Sequence, residues 1–374
     1  MKNFCAYFFL LLLFSCETTE IDHKEKTFFP TKQISLDNTN SYYYSFLSQV
    51  IDNNNIIRRI NKISKQGIEI YTINSNHKQS SYLNDEEIRE LKRPRGFYYL
   101  NKDSIFYFGV NKLIITDIGH TIKHNVFLNK TDEYQPLILT NLSPPFILKN
   151  TIYFTQIIDL PPGKTFNQKN RILGYNYKKD SIFELNNTHL PSIYNEQCYI
   201  TPDYEISYAM VNKDTLIINY PIDDNLYIYS IKEQKVIGKK NVKSRFKKAK
   251  VKGVDCDKKW DTKVYWKHHY NSYIYTSIIY DKYKNIYYRI LKLPKKDYDM
   301  NAKYNSLNIP FVITVLDKDL NIIAESKILN EKNKYIIFDY YVNSEGLWIS
   351  CNNPDNPEYN EDKLRFELFN LSSK

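Results

Sequence analysis

His120 and His124 stand four apart in Gly119-His120-Thr121-Ile122-Lys123-His124, the spacing at which a helix presents two zinc ligands on one face. No glutamate lies between them, and the surrounding residues read as strand and turn, so a zincin-type site has no support. His268 and His269 are adjacent; on a strand their side chains would face opposite ways, which rules out one shared metal site from the pair alone. Asp255-Cys256-Asp257 with Asp261 has the composition of a calcium loop but neither EF-hand spacing nor a closing glutamate. Nucleophilic catalysis finds no Gly-x-Ser-x-Gly elbow and no Ser/His/Asp order, and no Gly-rich segment could cradle a phosphate. The expectation is therefore no catalytic constellation, no metal and no cofactor.

Residues suited to recognition are easier to find. The segment Tyr280-Asp281-Lys282-Tyr283-Lys284-Asn285-Ile286-Tyr287-Tyr288-Arg289 reads as a hairpin, with Tyr287 and Arg289 on one face and Tyr288 on the other. Arginine beside tyrosine is a frequent composition at binding hot spots. In Arg93-Pro94-Arg95-Gly96 two arginines held in a turn could grip carboxylates in bidentate fashion. The expected ligand-binding residues are thus Arg93, Arg95, Asp281, Tyr287 and Arg289. Between Lys239 and Lys252 eight cations (Lys239, Lys240, Lys243, Arg245, Lys247, Lys248, Lys250, Lys252) make a local positive field suited to an anionic partner or lipid surface.

These side chains must be carried by a chain whose start is of another kind. Lys2 precedes an apolar run from Phe4 to Phe14, about eleven residues, the length of a signal-peptide core. As a helix that run is roughly 16 Å long, well short of the ~30 Å hydrocarbon core of a bilayer. It ends in Leu13-Phe14-Ser15-Cys16, which looks like a lipobox with Cys16 as the lipidated residue, although Phe14 stands where a small residue is usual. The expected organisation is a lipoprotein signal peptide over 1–15, a lipidated cysteine and flexible tether over 16–38, and a folded domain over 39–374. Removing residues 1–15 deletes one charge, Lys2, from a formal net charge of +10. Outside the cell such a chain meets anionic glycans, lipid headgroups and acidic proteins; nucleic acid is not an expected partner there. Beyond Cys5 and Cys16 the cysteines are Cys198, Cys256 and Cys351. An odd number allows at most one bridge and leaves one thiol free, so hydrophobic burial must supply the core.

The folded part is dominated by short runs rich in Tyr, Ile, Phe, Val and Thr, punctuated by Asn, Asp, Lys and Gly. Tyr is present 34 times and Phe 20 times, which suits half-buried pleated surfaces. One helix is expected, over Asn84 to Lys92, where Asn84 can cap and Asp85, Glu86 and Glu87 suit a first turn. A turn formula, Asn101-Lys102-Asp103-Ser104-Ile105-Phe106, returns as Asn212-Lys213-Asp214-Thr215-Leu216-Ile217 and in shorter form at Lys179-Asp180-Ser181-Ile182-Phe183. Asp281 to Ile286 and Asp317 to Ile322 share a second formula. Each is a polar turn feeding an apolar strand, with Asn and Asp in place of glycine, of which the chain has nine. First hairpins fall near Asp52, Asp103, Asn150, Asp214, Asp281 and Glu345-Gly346, and second ones at Gln66-Gly67, Gly119, Lys179-Asp180, Lys232-Glu233 and Asp317. Successive first hairpins are about 47 to 67 residues apart, which suits propeller blades carrying insertions. The expected fold is all-β, a β-propeller of six blades; seven blades or two β-sandwiches are the alternatives.

The lipobox, the Tyr280–Arg289 segment and the C-terminal Glu345-Gly346-Leu347-Trp348-Ile349-Ser350, Asn352-Asn353-Pro354-Asp355-Asn356-Pro357 and Glu361-Asp362-Lys363-Leu364 together resemble an uncharacterised family of Bacteroidota lipoproteins with a domain of unknown function, similar to six-bladed propellers. The resemblance covers nearly the whole chain after Cys16. It implies an outer-membrane destination, facing the periplasm or the cell surface; Glu17 and Glu20 look like surface-export signals of such lipoproteins. It implies no activity or catalytic residues, and none is carried over.

The function expected from these features is a non-enzymatic binding module, held to a membrane by its lipid and presenting loops to a glycan, a secreted peptide or an envelope protein. The alternative is a hydrolase or lyase of extracellular polysaccharide whose acidic residues, scattered along the chain, meet at the channel mouth.

Overall fold

Asparagine and aspartate side chains set the strand ends. Asn212 Oδ1 accepts from the backbone N–H groups of Asp214 and Thr215, and Asp281 Oδ1 from those of Tyr283 and Lys284. Asp52 holds Asn54 and Asn55 in the same way, and Asp317 holds Asp319 and Asn321. The repeated formulas are Asx turns in which a short polar side chain replaces a backbone acceptor. Left-handed backbone positions that glycine usually fills are taken by Asp180, Asn285 and, less expectedly, by Lys149, Gln234 and Leu320.

The computed structural model describes residues 27–37, 47–61, 66–73, 75, 77–92, 94–128, 134–136, 140–158, 168–259, 261–295 and 307–372. Their strands form six small antiparallel sheets. Blade 1 is β2 (Ser48–Val50), β3 (Asn55–Asn61), β4 (Gln66–Thr72) and β5 (His77–Tyr82). Blade 2 is β6 (Gly96–Asn101), β7 (Ser104–Phe108), β8 (Lys112–Thr116) and β9 (Ile122–Phe127). In blade 3, β10 (Tyr134–Pro136) and β11 (Phe146–Leu148) share one edge of β12 (Thr151–Ile158), followed by β13 (Ile172–Asn176) and β14 (Ser181–Glu184). Blade 4 is β15 (Ser207–Met210), β16 (Thr215–Asn219), β17 (Asn225–Ser230) and β18 (Lys235–Asn241). Blade 5 is β19 (Ile274–Asp281), β20 (Ile286–Lys292), β21 (Phe311–Leu316) and β22 (Ile322–Glu325). Blade 6 takes β23 (Tyr340–Asn343), β24 (Gly346–Ser350) and β25 (Lys363–Ser372) from the C-terminal end, and β1 (Thr27–Asp37) as its outermost strand. The six-bladed propeller expected from the turn formulas is the fold.

All six expected first hairpins join the inner two strands of a blade. Of the second hairpins, four join the outer two strands, while Gln66-Gly67 opens the third strand of blade 1. The tether boundary is corrected: Thr27–Asp37, expected to be flexible, is a strand paired along β25 from Thr27↔Ser372 to Asp37↔Lys363. Its apolar side chains are widely spaced, so periodicity was hidden, but Phe28 and Leu36 are buried. Cys16, the signal segment and the rest of the tether lie outside the described residues.

Each sheet packs its faces on its neighbours, giving a ring of cores rather than one centre. Ile57, Phe97, Phe106 and Phe154 belong to the core under blades 1 to 3, and Tyr153, Tyr208 and Ile218 to that between blades 3 and 4. The ring closes where Leu36 of β1, Tyr341, Trp348 and Phe366 of blade 6 meet Ile56 and Tyr71 of blade 1. Polar clasps fix the joints. Gln49 both donates to Tyr99 O (2.6 Å) and accepts from Tyr99 N (2.8 Å), and Arg58 forms a buried bidentate pair with Asp339 at 2.9 and 3.0 Å.

Because strands are consecutive and antiparallel, the first-to-second and third-to-fourth turns share one end of the propeller, and all other connections share the opposite end. The first end carries short Asx turns. The second carries long connections, including 83–95, 185–206, 242–273 and 326–339. They hold α1 (Asp85–Leu91), capped as expected by Asn84, and α2 (Thr262–Asn271). His268 and His269 therefore sit on a helix, not on the strand expected of them. Asp261 caps that helix by accepting from Lys263 N and Val264 N, and Asp255 caps a short helical turn by accepting from Asp257 N. Among the described residues no helix is long and apolar enough to cross a membrane.

Candidate functional site

The inner strands surround a central channel, and one end of it is filled by chain. Residues 140–145 lead into β11 of blade 3, yet they bond to blades on the far side. Asn141 Nδ2 donates to Tyr340 O at 2.8 Å, Asn141 Oδ1 accepts from Ser48 N at 2.7 Å, and Tyr340 Oη donates to Asn141 O at 2.7 Å. Tyr208 Oη of blade 4 donates to Pro144 O at 3.1 Å. One segment thus reaches across the axis and bonds to blades 1, 4 and 6.

Between this crossing and the short-turn end lies a cavity of about 290 Å³. Its wall comes from Gln49 of β2, Phe146 of β11, Tyr208 and Met210 of β15, Ile278 and Tyr280 of β19, and Tyr340 and Val342 of β23, with Lys282 and Tyr283 from the turn after β19. Among the described residues no aspartate or glutamate lines it. Burial pushes the hydroxyl pKa values of Tyr208 and Tyr340 well above the usual tyrosine range, so both stay neutral hydrogen-bonding groups. Tyr280 packs 5.0 Å from Tyr287 and donates its hydroxyl to Asn285 Oδ1, which holds its ring upright in the wall. Tyr283 is 40% exposed, with Lys282 Nζ 5.1 Å from its ring centroid. The chemistry available is stacking on tyrosine, hydrogen bonding to neutral groups, and one exposed cation, Lys282, at the rim.

The residues expected to bind ligand fare unequally. Asp281 is fully buried and serves the turn, also accepting from Tyr288 Oη at 3.0 Å. Tyr287 is buried in the core between blades 4 and 5. Arg289 is fully buried: Nε donates to Asn219 Oδ1, and its other nitrogens to the backbone oxygens of Asp223, Asp224 and Val242. These three expectations are corrected, because side chains committed inside a blade joint cannot meet a ligand. Arg95 is half-buried before β6, where Arg59 donates to its carbonyl and to that of Pro94, and it lines neither cavity. Arg93 lies outside the described residues.

Within this hairpin the residues that line the channel cavity are Tyr280, Lys282 and Tyr283. In four blades the last or next-to-last residue of the innermost strand, Val50, Met210, Tyr280 and Val342, lines the cavity, so position just before the first turn is a partial signal. Asn141 comes from a connection and carries no such signal. Elsewhere His120 bridges Glu87 and Ser81, and among the described residues no three His, Cys, Asp or Glu side chains converge as metal ligands.

Fold and channel together define a six-bladed β-propeller with a partly filled axial pocket. The chain belongs to the family described as a domain of unknown function, DUF4221, whose model matches residues 90–327. A crystal structure of a DUF4221 member from Bacteroides vulgatus superposes with a TM-score of 0.81 at 23% identity, covering 94% of this chain and 100% of that one. A Bacteroides fragilis protein described as exported superposes at 0.52 with 8% identity, covering 93% and 95%. No curated protein matches the chain.

Proposed function

We propose that this protein is an exported, lipid-anchored binding module that holds an uncharged segment of a glycan or peptide in the channel mouth without turning it over. The observation that carries the reading is the channel lining: tyrosines, amides, apolar side chains and one lysine, with no carboxylate among the described residues. Glycoside hydrolysis ordinarily uses two carboxyl groups about 5–9.5 Å apart, and the described residues of this wall hold none. Aromatic rings with a few fixed polar groups are instead the usual make-up of a pocket that binds. Export is supported by the Cys198–Cys256 disulfide, a bond that persists in oxidising compartments, by the lipobox ending at Cys16, and by a structural neighbour described as exported.

The test is calorimetric titration of the folded protein with neutral oligosaccharides and uncharged peptides, compared with Tyr283→Ala and Met210→Trp. The first variant removes an exposed ring and the second fills the cavity. Binding lost in both supports the site. Binding unchanged in both moves it elsewhere, and cleavage of a bound ligand overturns the non-enzymatic reading.

A further inference from the structure

A second cavity, of about 690 Å³, lies at the opposite end of the propeller, between residues 249–254 and α2. Its lining includes Lys250, Lys252, Lys267 and His268, together with Asn271 and Tyr273, and no aspartate or glutamate among the described residues. The three lysines are exposed and form no ion pair among the described residues. Lys250 and Lys252 differ in this from two other cations of the basic run. Lys247 is buried against Asp224 at 2.8 Å, and Arg245 pairs with Glu325 at 3.3 Å. Within the run, Lys247 and Arg245 hold joints together, Lys250 and Lys252 line the hollow, and Lys243 and Lys248 are exposed outside it.

The walls of that hollow are fixed. Cys198–Cys256 joins the connection before blade 4 to the connection after it, and Val254 N donates to Cys198 O at 2.7 Å. At Gly253 the chains approach so closely that a Cβ would lie 2.4 Å from the Gln197 side chain and 2.5 Å from Cys198 O. On the helix side, His268 Nε2 meets buried Asp203 Oδ2 at 2.6 Å, which holds the imidazole against the cavity wall.

We propose that this cavity binds an anionic glycan, with Lys250, Lys252 and Lys267 receiving its carboxylate or sulfate groups and Tyr273 stacking on a sugar ring. Lysine is a point charge with three rotatable donors, suited to oxyanions presented at varied angles. A concave site of this volume takes a short oligosaccharide. A lipid surface would call for a protruding apolar face, and an acidic peptide motif for a cluster of arginines; this hollow is concave and its cations are lysines. The site is separate from the channel mouth and does not depend on it.

The experiment titrates the folded, disulfide-intact protein with a uronate trisaccharide, a sulfated disaccharide and a neutral trisaccharide, each at two salt concentrations. The expected result is binding of one or both anionic sugars, weakened at least tenfold by Lys250→Gln/Lys252→Gln/Lys267→Gln and weakened by salt. Lys243→Gln/Lys248→Gln, in the same run but outside the cavity, should leave affinity unchanged. Which anionic arm binds tells carboxylate from sulfate. Equal binding of the neutral sugar, equal loss in the control variant, or binding only to phosphatidylglycerol vesicles or inorganic phosphate would overturn the proposal. So would no binding of either anionic sugar by a protein whose thermal unfolding is intact.

Discussion

The guanidinium of Arg289 lies 3.5 Å from the centroid of the Tyr275 ring, stacked within blade 5 while its nitrogens reach four oxygens of blade 4. Arg289 is the fourth residue of its blade's second strand. Arg58 holds the same place in blade 1, and Tyr107, Phe154, Ile218 and Ile349 hold it in the other four, all buried. The position is therefore a joint between blades, filled by packing in four cases and by a hydrogen-bonded arginine in two. Burial lowers the Arg289 pKa to about 10, partly offset by Tyr275, Asp224 and Asp223, so it remains charged at neutral pH.

Removing that charge should cost stability, not binding. Arg289→Ala leaves three backbone carbonyls without their donor in a dry joint, and about 3–5 kcal/mol of unfolding free energy should be lost. Arg289→Lys should recover only part, since an ammonium cannot span four acceptors in a fork. Urea unfolding of both variants checks this; a midpoint unchanged in Arg289→Ala would contradict the joint.

Deleting residues up to Asp37 should destabilise blade 6. The outer edge of β25 would lose its partner over ten residue pairs and present unpaired backbone to solvent. A chain beginning at Thr27 should fold cooperatively without aggregating, whereas one beginning at Asn38 should aggregate or melt earlier. Light scattering with thermal unfolding separates the two.

What was legible in the sequence follows from where the information was local. Asx turns announce themselves through three or four adjacent residues, so every inner hairpin and the blade number were readable. The Asn84 cap was readable too, since Glu87 completes it within three residues. β1 was not, because its partner lies more than 300 residues away and its exposed face is polar. Helix α2 was masked by Val, Tyr, Trp and His, which resemble strand, although Asp261 stood in the capping position. For the site, arginine beside tyrosine has the composition of a recognition surface, but this propeller buries such side chains between blades as readily as it displays them. The inward alternation that separates Tyr280 from Arg289 needs the position of the axis, which no local pattern supplies.

The three cysteines Cys198, Cys256 and Cys351 should behave as one bridge and one silent thiol. Cys351 is buried, and burial pushes its thiol pKa far above the ordinary range. A maleimide should therefore label the native protein at none of them and the denatured protein at Cys351 alone. Replacing Cys198 and Cys256 by alanine opens a connection spanning 58 residues and should lower stability by up to about 4 kcal/mol. Mass spectrometry of labelled protein and denaturant unfolding of the double variant read the two effects separately.

Glu205 makes the pH dependence of stability testable. Burial, with a smaller contribution from Asp203, raises its carboxyl pKa to about 7. A carboxyl raised in the folded state favours the proton there, so its contribution is fully present below the unfolded value of about 4.3 and lost as pH rises through about 7. His269 works in the opposite sense over part of that window: burial lowers its pKa to about 3, so the folded state keeps the ring neutral and gains stability as pH rises towards the unfolded value of about 6.5. The two slopes partly cancel in the unmodified protein, and only a difference between variants isolates either. Glu205→Gln keeps the shape and cannot ionise. Relative to the parent it should gain about 3 kcal/mol between pH 4 and pH 8, with little further gain above that. A difference that stays flat across that interval would mean that Glu205 ionises in the folded protein as it does in water.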